Sequence, residues 1–105
     1  ITGVNATDYA GYPDCRPEFI ESIEKTLSIG LDEEIKILTP LIDKTKAEIW
    51  KMAKDLGCID IIIRCSMTDY NGDKTMNEWG RGKLDNPASI ERKKGFDEAK
   101  EKGWI

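Results

Sequence analysis

With 105 residues, 39% of them hydrophobic and 34% charged, the chain is one small domain or a piece of a larger one, too apolar for an acidic disordered tail. A net charge of −4 argues against a phosphate-backbone binder acting through bulk charge, so no direct nucleic-acid contact is expected. No histidine is present, which removes Ser-His-Asp and Cys-His nucleophiles and every His-based metal site. No apolar run approaches the roughly 18 residues of a membrane span, and no signal peptide is recognisable. Cys15, Cys58 and Cys65 are odd in number and widely spaced, with no Cys-x-x-Cys. A disulfide framework is not expected, and a reduced, cytoplasmic setting is. Because it starts at Ile1 rather than Met, the chain is read as a fragment or a processed product.

In chain order, Ile1 to Asn5 reads as the end of a strand that feeds a loop, Ala6 to Arg16. Pro17 suits the first turn of a helix; Phe19, Ile20, Ile23 and Leu27 follow at helical spacing, and Gly30 stops it. Glu34 to Leu38 alternates polar and apolar, with Ile35 and Ile37 on one face, and predicts a short strand ended by Thr39-Pro40. Thr45 and Glu48 form a capping box for the next helix, whose apolar side is Ala47, Trp50, Met52, Ala53 and Leu56; Gly57 closes it. Ile59 to Ile63 is a short, very apolar run. From about Arg64 to Asp85 the sequence is irregular, and a loop of that length signals function, a missing partner or disorder. Within it Gly80-Arg81-Gly82 reads as a flexible basic loop. Asn86 is a good N-cap and Pro87 a good first residue for a last helix, with Ile90, Phe96 and Ala99 as a thin apolar stripe.

The pattern is α/β. Strand, helix, strand predicts a right-handed parallel crossover. Two strands do not make a stable parallel sheet, both of whose faces need cover. The sheet is therefore expected to be completed elsewhere, by further residues or by a partner, and a homo-oligomer is expected.

Two segments can carry chemistry. The loop Asn5 to Arg16 lies between a strand and a helix, where open α/β sheets place ligands. Asp8 and Asp14 can accept from a base edge or bind a cation, Tyr9 and Tyr12 can stack on a flat ring, and Arg16 can hold a carboxylate. The competing reading is an ordinary polar connection. Cys15 would have a lowered pKa beside Arg16 and a helix N-terminus, but with no histidine as base a packed cysteine is the better reading. In Thr39 to Ile49, Lys44 and Lys46 stand near a helix N-terminus just after a strand, where a lysine can reach a phosphate. The competing reading is two solvated lysines. Asp60, Asp69, Asp73 and Asp85 match no EF-hand spacing.

The run Gly3-Val-Asn-Ala-Thr-Asp-Tyr-Ala-Gly-Tyr-Pro-Asp-Cys-Arg-Pro-Glu-Phe-Ile20 closely resembles the signature of the 7-cyano-7-deazaguanine synthases, the QueC or ExsB family. Thr39-Pro-Leu41 followed by Thr45-Lys-Ala-Glu48, then Tyr70-Asn-Gly72, then Arg92-x-x-Gly-Phe96 with Glu98-Ala99, is similar to the family's later motifs in order and spacing. The resemblance covers nearly the whole chain. It implies an adenine-nucleotide alpha-hydrolase-like (PP-loop, Rossmann-like) fold with a parallel sheet. It implies that residues 1–63 are the C-terminal part of that domain, and 64–105 the equivalent of a zinc subdomain. The implied reaction makes 7-cyano-7-deazaguanine (preQ0) from 7-carboxy-7-deazaguanine, ammonia and ATP with Mg. The carboxylate is adenylated, ammonia gives the amide, and a second activation dehydrates it to the nitrile. Under that resemblance Asp8, Tyr9, Tyr12, Asp14 and Arg16 bind the deazapurine, Lys44 and Lys46 bind nucleotide phosphate, and Lys46 is catalytic.

The chain departs from the family twice. The ATP loop, a Ser-Gly-Gly-x-Asp-Ser type motif, does not occur in these residues, so another segment or a partner chain is expected to supply it. The four zinc-ligand cysteine positions hold Asp69, Lys83, Asn86 and Ser89, and Cys58 and Cys65 are misplaced to substitute, so no zinc is expected. The alternatives are a divergent PP-loop ligase for another carboxylate, and a non-catalytic binding or partner module.

Overall fold

The computed structural model describes residues 1–105. Two short 3-10 turns, Ala6–Ala10 and Pro13–Cys15, precede α1 (Pro17–Leu31). Then follow α2 (Lys46–Asp55), α3 (Ile59–Cys65), β1 (Met76–Asn77), β2 (Gly80–Arg81) and α4 (Pro87–Glu101). The content is α/β: four α-helices and one two-stranded antiparallel sheet. The chain divides into two compact units, Ile1–Lys44 and Thr45–Ile105. No helix is long and apolar enough to cross a membrane.

In the first unit Thr2 N–H donates to the Leu38 carbonyl (2.9 Å) and Ala6 N–H to that of Ile42 (3.1 Å), so the two segments run side by side in the same direction. The expected strands at Ile1–Asn5 and Glu34–Leu38 do not form a ladder. The reason is where the donors go: Ile35 N–H donates to Ser28 Oγ and Ile37 N–H to the Glu24 carboxylate, both on α1. Helix α1 also runs one residue past Gly30, and Asp32, in the left-handed region at φ 52°, ends it. No residue of α1 is buried; Phe19, Leu27, Ile29 and Leu31 are exposed.

The core of the second unit is Ala47, Trp50, Trp79, Phe96 and Ala99. Helix α2 forms as the sequence predicts: Thr45 Oγ1 accepts from Glu48 N–H, and the Glu48 carboxylate accepts from Thr45 N–H. It buries Ala47, Trp50 and Ala53, while Leu56 stays exposed. It packs on α4, where Asn86 Oδ1 caps Ser89 N–H and Pro87 opens the helix. The approach is closest at Gly95, where a Cβ would lie 2.2 Å from that of Lys46, so only glycine fits. Trp50 meets Phe96 edge to face at 5.0 Å.

The apolar run Ile59–Ile63 is helical, and the expected irregular stretch holds a tight hairpin. Gly80-Arg81-Gly82 is not a flexible loop: it contains β2, with Gly80 and Gly82 buried. The buried face of α4 is Ser89, Arg92, Gly95, Phe96 and Ala99, and Ile90 is exposed, contrary to the expected stripe.

Arg92, 7% exposed, ties these elements together. Its Nε donates to the Trp79 carbonyl (2.8 Å), Nη1 to Ser66 Oγ (3.0 Å) and Nη2 to the Ile62 carbonyl (3.1 Å), and its guanidinium lies over the Trp50 ring. Burial pushes its pKa down. Replacing it with leucine takes the donor from the Trp79 carbonyl, while that of Ile62 keeps its bonds from Ser66, and is expected to lower unfolding free energy by about 3 kcal/mol, read in urea titrations. Lysine, with one donor centre in place of a fork, is expected to restore less than half of that.

Candidate functional site

The sequence-predicted ligand residues of the first unit sit on one turn system. Asn5 is nearly inaccessible at 1% exposure. Its Oδ1 accepts from Thr7 N–H and the Thr7 hydroxyl, and its Nδ2 donates to the carbonyls of Leu41 (2.7 Å) and Lys44. That amide joins the loop bearing Asp8, Tyr9, Tyr12, Asp14 and Arg16 to the turns bearing Lys44. Those turns are closed by Ile42 N–H on Thr39 and Lys44 N–H on Leu41. Tyr9, Asp14 and Arg16 are exposed, and Asp8, Tyr12 and Lys44 are half-buried. Arg16 Nε donates to the Pro13 carbonyl (2.9 Å), which holds the guanidinium 5.3 Å from the Tyr9 ring centre. An aromatic face backed by a guanidinium suits a flat ring that carries a carboxylate. Cys15 is half-buried, and no cysteine pair is bridged.

Lys46 belongs to the second unit. It is the first residue of α2, half-buried, with its backbone braced against Gly95. The capping box and the glycine contact fix its main chain.

The residues at the four expected zinc positions are gathered, but by hydrogen bonds. Asp69, 4% exposed, accepts from Lys83 N–H (2.8 Å) and from Asn71 N–H (2.8 Å). Asn86 Nδ2 donates to the Lys83 carbonyl (3.3 Å), and Asn86 caps Ser89. Asp69 and Ser89 both flank Gly82. The Ser89 hydroxyl is buried and has no hydrogen-bond partner. Lys83 Nζ pairs with Asp73 at 3.1 Å. One carboxylate, one ammonium, one amide and one hydroxyl do not fit zinc, which takes thiolate, imidazole or several carboxylates. Nowhere do three or more His, Cys, Asp or Glu side chains gather in a way that would hold a metal ion.

The Lys83 main-chain N–H, with those of Asn71 and Asp73, holds the Asp69 carboxyl below its ordinary 3.8 against the opposing effect of burial. Hydrogen bonds from the Thr75 side chain and N–H, then Lys83, lower Asp73, and Asp73 in turn raises Lys83. A carboxylate whose native pKa is depressed contributes stability that is complete above pKa 3.8 and lost as pH falls below it. Asp69→Asn is therefore expected to lower the melting temperature by several degrees at neutral pH. The gap to wild type closes on acidification, and a metal chelator leaves both melts unchanged; paired thermal melts across pH, with and without chelator, check this.

Sequence reasoning missed Asn5 and Arg92. Arg92 was visible as a position, because residues 89, 92, 96 and 99 share one helical face. Asn5 carried no local signal, since its donors reach 36 and 39 residues along the chain.

The family model described as queuosine biosynthesis protein QueC matches residues 1–100. The chain is 44% identical over 99 residues to a 7-cyano-7-deazaguanine synthase of Wolinella succinogenes, covering 93% of this chain and 42% of that protein. It is 47% identical over 97 residues to the synthase of Helicobacter pylori strain ATCC 700392 / 26695, covering 91% and 43%. It is 50% identical over 96 residues to that of Clostridium botulinum strain 657 / Type Ba4, covering 91% and 42%. The chain thus spans about two fifths of the length of the relatives it matches.

Proposed function

The chain belongs to the QueC family, and on that premise we propose that it is the C-terminal part of an enzyme that makes 7-cyano-7-deazaguanine from 7-carboxy-7-deazaguanine, ammonia and ATP. The observation that carries this reading is the loop joined by Asn5. Tyr9 and Arg16 stand together there, a ring face and a carboxylate-binding fork of the kind a planar deazapurine acid needs. Asp8 and Asp14 suit the donor edge of the base, and Tyr12 a second stacking face. Lys44 and Lys46 suit nucleotide phosphates; Lys46 would neutralise charge that develops as pyrophosphate leaves.

ATP with Mg is the activating reagent in this reading. An adenylate makes the carboxylate electrophilic, and this chain's residues orient the acid and hold phosphate charge. The Gly-rich ATP loop comes from another segment or from a partner chain, which agrees with relatives more than twice as long. The exposed apolar residues of α1, and the same-direction pairing of residues 2–6 with 38–42, support a PP-loop sheet completed outside these residues. A homo-oligomer and a cytoplasmic location belong to the same proposal.

The test is turnover by the full-length polypeptide with the acid, ammonia and ATP. Nitrile formation is expected, with Arg16→Ala and Lys46→Ala each lowering kcat/KM by about 100-fold while the melting temperature holds. No ATP-dependent consumption of the acid would overturn the reading.

A further inference from the structure

We propose that Asn5 is a positioning residue: it touches neither substrate nor nucleotide, and it sets the loop that recognises the acid against the turns that carry Lys44. The inference rests on the function proposed above. Four features of the structure carry it. First, Asn5 uses its full hydrogen-bonding capacity, two donors on the Leu41 and Lys44 carbonyls and two bonds accepted from Thr7. Second, it is 1% exposed, so water cannot replace a lost partner at no cost. Third, only one main-chain bond, from Ala6 to Ile42, joins the two segments at this end. Fourth, the loop it anchors is itself held by short-range turns, Asp8 N–H on Asn5 and Gly11 and Tyr12 N–H on Asp8. A shift at Asn5 therefore moves Asp8, Tyr9 and Tyr12 as one body.

No other residue type reproduces this join. Aspartate has nearly the same shape but cannot donate to two carbonyls, and it would set a carboxylate against both. Glutamine is a methylene longer, and serine and threonine reach only one side. A displacement of about 1 Å between reacting groups can cost about 100-fold in rate. The loss should appear in kcat, because the binding groups remain and only their placement changes.

The experiment is steady-state kinetics of the full-length polypeptide, wild type against Asn5→Asp and Thr7→Val, with thermal melts of each. Expected for Asn5→Asp is a kcat lowered about 100-fold, with KM for the acid and for ATP within about threefold, at a temperature where the melt shows the protein folded. Thr7→Val, which removes only the hydroxyl, should shift kcat in the same direction by less. Wild-type kcat in a folded Asn5→Asp protein overturns the proposal. So does an Asn5→Asp protein that fails to fold together with wild-type kcat in Thr7→Val, since the role is then structural. A wild-type protein that does not turn the acid over is a different failure: it removes the functional reading, and this inference with it.

Discussion

A buried guanidinium with no carboxylate partner governs the second unit. Arg92 projects from α4 and donates to the α3 carbonyl of Ile62, to Ser66 just beyond α3, and to Trp79 in the hairpin, while lying over Trp50 of α2. Its charge is met by carbonyl dipoles near the C-terminal end of a helix and by an indole face, both of which favour a cation. Consequences propagate. Gly80 lies where a Cβ would come within 2.4 Å of Nη2, so the hairpin must turn through glycine there. Trp79 is drawn into the core from a turn position where aromatic residues are usually solvated. The Arg92 carbonyl receives Trp50 Nε1–H, which registers α2 on α4 and so sets Lys46.

The rest of the molecule repeats this use of side-chain hydrogen bonds to the main chain. Unit 1 buries almost nothing apolar within itself, and its turns are held by Asn5, Ser28 and Glu24 reaching main-chain atoms. The Asp69, Lys83, Asn86 and Ser89 cluster works in the same way, ordering a hairpin and a helix start without a metal-binding donor set. Such joints are directional, so each fixes geometry more sharply than apolar contact does.

Legibility in the sequence followed the range of the interactions. Helix α2 and the start of α4 were readable because caps act within three residues: Thr45 with Glu48, and Asn86 with Ser89. The motif resemblance located the loop from Asn5 to Arg16 and the family at once. The strands at 1–5 and 34–38 were misjudged because alternation records which face is apolar and not what the backbone N–H groups bond to. Those of Ile35 and Ile37 turn to Ser28 and Glu24. The hairpin at 76–81 and the helical nature of 59–65 escaped because their partners, Trp79 with Arg92 and Ile62 with Arg92, lie 13 and 30 residues away. The grouping of Tyr9 with Arg16 came from a bond to Pro13 that no spacing rule contains.

The proposed function requires this chain to supply the surface that recognises a planar carboxylated deazapurine. Calorimetric titration of the full-length polypeptide with 7-carboxy-7-deazaguanine, without ATP, separates recognition from chemistry. Saturable binding is expected that weakens at least about tenfold in Arg16→Ala, the loss of one charge-assisted bidentate contact. Equal affinity in the two proteins would contradict it, because the acid would then be held by residues outside this loop.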